Sequence, residues 1–124
     1  MTATDLARTL FNAFEAGPLE DARAVLADDF SGCQNGGPPM TRDQLLEFSA
    51  AVSAVVPDFR YEDIVCVATA TGFVEEHSVC GTLPDGQALR IAACVVAEVE
   101  GGRIQSLREY LDTRAAMGLL KALG

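Results

Sequence analysis

Two glutamates late in the chain, Glu76 and Glu109, with Asp112 close behind and Asn35 far upstream, are the side chains whose types suit proton transfer. Each glutamate stands in a stretch of alternating character. Residues two apart in a strand share a face. Leu89, Ile91, Ala93, Val95, Ala97 and Val99 make one apolar face. Leu107 and Leu111 continue it and bring Gln105 and Glu109 along, and Val74, Ser78 and Cys80 form the compatible set that brings Glu76. Under this register two carboxyl groups enter one apolar space. Burial raises a carboxyl pKa and a nearby like charge drives two such values apart, so one acid keeps its proton while the other ionises. That division of roles is what general acid/base catalysis requires, with Glu109 as base and Glu76 as proton donor. A register displaced by one residue puts both glutamates in water instead.

The remaining polar candidates each have two readings. Asn35 either positions a substrate oxygen or a water, or hydrogen-bonds the Gly36-Gly37 loop as Asn does in turns. Asp112 either supplies the base or caps the helix that begins after it. His77 falls on the opposite face with Arg90, Arg108 and Tyr110, a place for a surface or subunit contact. Cys33, Cys66, Cys80 and Cys94 contain no CxxC pair and stand amid Val, Ala and Ile, where reduced cysteine is a small apolar filler. With a single histidine and these spacings, no metal site is expected. No cofactor is expected either.

These residues need a scaffold. Leu6, Leu10 and Phe14 recur at helical spacing, and Gly17-Pro18 ends that helix. A second helix is expected from Leu19 to about Ala27, ending against Asp28-Asp29, with a short strand over Phe30 to Asn35. Thr41 and Gln44 form a capping box for a third helix whose buried stripe is Leu45, Phe48, Val52 and Val55. From Phe59 onward, β-branched residues broken by glycine predict strands at about 59–67, 72–82, 87–99 and 103–111. Pro84-Asp85-Gly86 and Glu100-Gly101-Gly102 are hairpin chemistry. A closing helix is expected from Thr113 to Leu123. The 124 residues suit a single domain spanning 1–124. A net charge of -9 opposes binding to phosphate backbones. No stretch approaches the ~20 apolar residues a bilayer demands. Neither nucleic acid nor a membrane is an expected partner, and with no export signal at Met1 a cytoplasmic location is expected.

Ala-Asp-Asp-Phe at 27–30, Val-Pro-Asp-Phe-Arg-Tyr at 56–61, and Gly-Gly-Arg-Ile with Leu-Arg-Glu-Tyr-Leu-Asp over 101–112 occur in an order that resembles SnoaL-like proteins of the nuclear transport factor two-like superfamily. The resemblance implies an α+β fold, a cone-shaped curved antiparallel sheet wrapped by about three helices around an apolar pocket. It further implies a small apolar organic partner and a homodimer. Leu10 and Phe14 of the first helix and Cys33 of the first strand would join Ser78, Ile91, Ala93, Leu107 and Leu111 as the pocket wall. The limonene epoxide hydrolase branch is similar from Glu75 to Asp112, but its set is incomplete here. Asn35 matches its asparagine and Glu109 stands where its last strand carries the base, while Glu76 replaces its arginine, Ser78 an aspartate and Cys33 a tyrosine. Removing that cation removes what orients the other carboxylates. The ketosteroid isomerase acids are likewise missing, with Gln34 near the position of its base. SnoaL-type cyclases use a late acid, for which Glu109 and Asp112 both qualify. Isomerase, cyclase or lyase chemistry is thus the expectation, with a non-catalytic binding or dimerisation module as the alternative and an epoxide hydrolase behind both.

Overall fold

A computed structural model describes residues 1–124. Helix α1 (Ala3–Ala16) starts at a capping box in which the Thr2 side chain accepts from the Asp5 N–H and the Asp5 carboxylate accepts from the Thr2 N–H. These bonds satisfy two donors that a helix start otherwise leaves orphaned. The helix stops at Gly17, whose φ of 71° suits glycine. Helix α2 (Leu19–Val25) is shorter than expected, because Leu26 already adopts extended backbone and opens β1 (Leu26–Gln34). Helix α3 (Arg42–Val55) has the Thr41/Gln44 capping box. Strands β2 (Arg60–Ala68), β3 (Gly72–Thr82), β4 (Ala88–Glu100) and β5 (Arg103–Leu111) follow, and α4 (Thr113–Leu123) closes the chain.

The strands form one curled, open sheet in the order β1-β5-β4-β3-β2. All neighbours are antiparallel except β1 and β5, which the long connection through α3 and the meander brings together in parallel. The turn through Asp85 sets the register of the central pair. Residues equidistant from it oppose each other, Thr82 with Ala88 and His77 with Ala93. The next turn uses Gly101 and Gly102, both at positive φ, as a tight hairpin requires. A bulge then displaces the β4–β5 register between Glu98 and Val99.

Helices cover one face of this sheet and bury two apolar clusters. The larger lies under α1 and α2 around Leu6, Leu10, Phe73 and Ile104, and the smaller lies under α3 and α4 around Val56, Leu89, Ile91 and Leu119. Their division leaves space between them. Within α3, Leu46, Ser49 and Val52 are the deeply buried positions, whereas Leu45 and Phe48 of the expected stripe are half-buried and turn toward that space. No helix is long and apolar enough to cross a membrane.

Candidate active site

Between the two clusters lies a cavity of about 360 Å³. Phe11 and Phe14 of α1, Leu45, Phe48 and Val52 of α3, and Leu119 of α4 form its helical wall, and the sheet supplies the opposite one. Its volume falls in the range of small-molecule sites, as does its mostly apolar lining with a few convergent polar groups.

Glu109 is the carboxylate on this wall. It points inward because it lies opposite Val95 in the β4–β5 ladder, flanked by Leu107 and Leu111 opposite Ala97 and Ala93. Gln34, its parallel neighbour on β1, donates from Nε2 to Glu109 Oε1 at 2.8 Å. Loss of water around the carboxyl raises its pKa, and this outweighs the lowering by the Gln34 hydrogen bond and by the charge of His77. Tyr61 of β2 also lines the cavity. Burial holds its phenol well above the usual pKa, and Glu109, Glu75 and Glu15 add to the rise, so the hydroxyl keeps its proton as a donor.

The second carboxylate that faces inward is Glu75, not Glu76. The β3–β4 ladder sets Glu75 opposite Val95 and His77 opposite Ala93, and directly paired residues share a face. Phe73, Glu75, His77 and Val79 are therefore inward, while Glu76 is exposed. His77, expected outside, is 3% exposed, and its Nδ1 lies 2.6 Å from Glu75 Oε2. The sequence of β3 offers apolar residues in both alternations, Val74 and Cys80 in one, Phe73 and Val79 in the other, so its pattern is two-sided. The turn at Asp85 carries the missing information. Counting equal steps from it pairs His77 with Ala93, already on the apolar face.

One inward row consequently crosses all five strands: Cys66, Glu75, Val95, Glu109 and Gln34. The Cys66 thiol is pushed up to about 11, chiefly by desolvation and then by Glu75. Tyr61 and Phe11 pack on the His77 ring from the cavity side, with centroids 4.4 and 5.0 Å from it. Gln34, Tyr61, Glu75 and His77 were absent from the expected site. Apart from the hairpin count, the Glu-x-His spacing of 75 and 77 is the one local signal for the buried pair, since residues two apart on a strand lie side by side.

Other expected residues take different places. Phe14, Cys33, Ile91, Leu107 and Leu111 line the cavity. Leu10 does not, being sealed in the larger cluster beneath α1. Ser78 is on the opposite face from His77, and Ala93 lies buried opposite the imidazole. Asn35 touches the cavity rim, with φ of 49°, but its amide accepts from the Leu111 N–H at 3.0 Å and donates to the Leu111 carbonyl at 3.2 Å. It thus pins β1 to β5 beside Glu109, instead of bonding the Gly36-Gly37 loop. Asp112 Oδ1 accepts from the Arg114 and Ala115 N–H groups and caps α4 away from the cavity. Gln105 falls on the β5 bulge and donates to Asp29 at 2.8 Å, so it is not a cavity group either.

A four-helix, five-stranded α+β domain with an apolar cavity under its curled sheet defines the ketosteroid isomerase-like architecture. Within that class, residues 7–107 match the SnoaL-like domain, and the chain belongs to this family. Solved structures of the same fold include IdmH, a candidate polyketide cyclase from Streptomyces antibioticus, 22% identical over 100% of this chain and 99% of that one, with a TM-score of 0.83. A candidate polyketide cyclase from Xanthomonas campestris is 22% identical over 98% of this chain and 96% of its own, with a TM-score of 0.81. A protein from Catenulispora acidiphila with a ketosteroid isomerase-like fold, in complex with trimethylamine, is 15% identical over 89% and 86% of the two chains, with a TM-score of 0.76. No protein of curated function matches the chain.

Proposed function

We propose that the cavity takes a small, mostly apolar organic molecule carrying an enolisable carbonyl, and that Glu109 acts on it as a general base without a cofactor. The observation that carries this reading is a carboxyl group on an apolar wall, held at 2.8 Å by Gln34, with its pKa raised by desolvation. A raised pKa makes the ionised form a stronger base. The Glu109 carboxylate removes the proton from the carbon beside the carbonyl, the C–H pair becomes the enolate, and its charge settles on oxygen. Tyr61, whose phenol keeps its proton, donates a hydrogen bond to that oxygen. Return of the proton at another carbon completes an isomerisation. Attack of the enolate on a second carbonyl, with the proton passed to the new alkoxide, completes a cyclisation, and subsequent loss of that hydroxyl as water is the lyase variant. Glu76, exposed on the outer face, has no part in this scheme, which withdraws the two-glutamate form expected earlier.

Exchange of the α-protons of 2-tetralone in deuterium oxide, followed by NMR, tests the proposal. The protein should accelerate exchange above buffer, and Glu109→Gln should remove at least about 100-fold of that acceleration, the usual contribution of a positioned base. Exchange at the buffer rate, or acceleration untouched by the substitution, refutes it. A single observation favours the alternative of a non-catalytic binding module: Glu109 is the one carboxylate on the cavity wall. Binding of 2-tetralone with no acceleration is the result that module would give.

A further inference from the structure

His77 Nε2 is buried and has no hydrogen-bond partner, while Nδ1 of the same ring is held at 2.6 Å by Glu75. Both side chains are almost completely sealed, at 0% and 4% exposure. Leaving a buried donor or acceptor unpaired costs about 1–3 kcal/mol, so the free nitrogen calls for an explanation. Glu75 fixes the ring. A carboxylate on Nδ1 orients the imidazole and leaves Nε2 as its free working atom, the logic by which an acidic partner sets a histidine's function.

His77 does not itself line the cavity. Two apolar rings, Phe11 and Tyr61, pack on the imidazole, and both also line the cavity, so they form a partition one side chain thick. On the sheet side, the residue opposite His77 is Ala93, which adds only a methyl group. Glu109 lies on the same inward face, two strands from Glu75 in the row through Val95. Tyr61 belongs to β2, an edge strand with a single neighbour and a bulge between Glu62 and Val65. Contact between Nε2 and a ligand therefore requires the Tyr61 ring, packed on Phe11, Phe59 and His77, to move aside.

We propose that His77 Nε2 is a ligand-binding atom of the cavity, the partner of one oxygen of the bound molecule, with Glu75 as the positioning residue. The ligand class is an apolar ring bearing a ketone that enolises, or a phenol. A neutral imidazole accepts from the enol or phenol hydroxyl, and a protonated one donates to the carbonyl or oxyanion, so one site serves both forms of such a compound. Because this deepens the cavity reading given above, the test separates the two.

The chain has one histidine, so its imidazole nitrogens can be assigned without ambiguity in a ¹⁵N-labelled sample of the protein. Titration with 2-naphthol as the probe should move the His77 Nε2 resonance by several ppm while Nδ1 stays close to its free position. Naphthalene, the same shape without oxygen, should bind without moving Nε2. His77→Gln should weaken 2-naphthol about tenfold, the loss of one hydrogen bond to a buried group, and leave naphthalene within about twofold. Failure of both probes to bind overturns the cavity reading and this inference together. Binding of 2-naphthol with an unmoved Nε2, or equal weakening of both probes by the substitution, overturns this inference alone.

Discussion

Glu75 and Glu109 lie in one row of one sheet face, separated by Val95, yet the protein treats them differently. Glu75 is sealed and hydrogen-bonded to an imidazole. Glu109 is half-buried, faces an open cavity, and has only the neutral Gln34 amide as a partner. A carboxyl group and an imidazole that hydrogen-bond each other in a dry interior are a structural unit, tolerable as long as both members remain. A charge with only a neutral donor is under pressure to take up a proton, which is the condition of a base. The same residue type two strands away thus becomes a positioning group in one case and a proton acceptor in the other, and the neighbours decide which.

The largest test of this contrast concerns the sealed pair. Glu75→Leu should cost about 3 kcal/mol or more in urea unfolding, because it strands His77 in an apolar interior, while Glu75→Leu with His77→Phe should return to within about 1 kcal/mol of the starting protein. The coupling between the two sites is the quantity to read. Additive losses would show that the pair is not a unit, and the distinction from Glu109 would then fail.

Replacing the cavity carboxylate should act in the opposite direction. The folded-state pKa of Glu109 lies above its ordinary value, so the group stabilises the fold fully only at acidic pH, below its unfolded pKa, and that contribution is lost as pH rises through the folded pKa. Glu109→Gln keeps the shape and removes the charge. At pH 7 it should raise the melting temperature by a few degrees, on the order of 1 kcal/mol, and the gain should shrink toward zero near pH 4. A melting temperature that falls at pH 7, or a gain that grows in acid, would mean that Glu109 is held as a favourable ion.

How far the sequence reveals this contrast differs from strand to strand. Helix caps at Thr2 and Thr41 and both hairpin turns are local chemistry, so the elements and their order can be read directly. Faces are harder because they depend on pairing. On β5, side-chain alternation is the better guide: Leu107, Glu109 and Leu111 share a face, whereas a plain count from the Gly101-Gly102 turn would miss the bulge and select Arg108. On β3 the ranking reverses. Alternation is two-sided there, and only the count from Asp85 places Glu75 and His77 inside. The partners of Glu109 are less legible still. Gln34 reaches it through a parallel pairing that spans most of the chain, and nothing near either residue announces the contact.

The smallest predicted effect bears on that same reversal. Glu76 adjoins Glu75 in sequence but is exposed on the outer face, opposite Cys94 and Val65. Glu76→Gln should therefore leave unfolding free energy within about 0.5 kcal/mol and leave 2-tetralone exchange unchanged, as expected of an exposed position with no buried partner. Two adjacent glutamates would then differ by severalfold in their cost of substitution, from one step in strand register. If Glu76→Gln instead proved as damaging as a change at Glu75, β3 would have to be turned over, placing His77 outside and dissolving the buried pair on which the contrast with Glu109 rests.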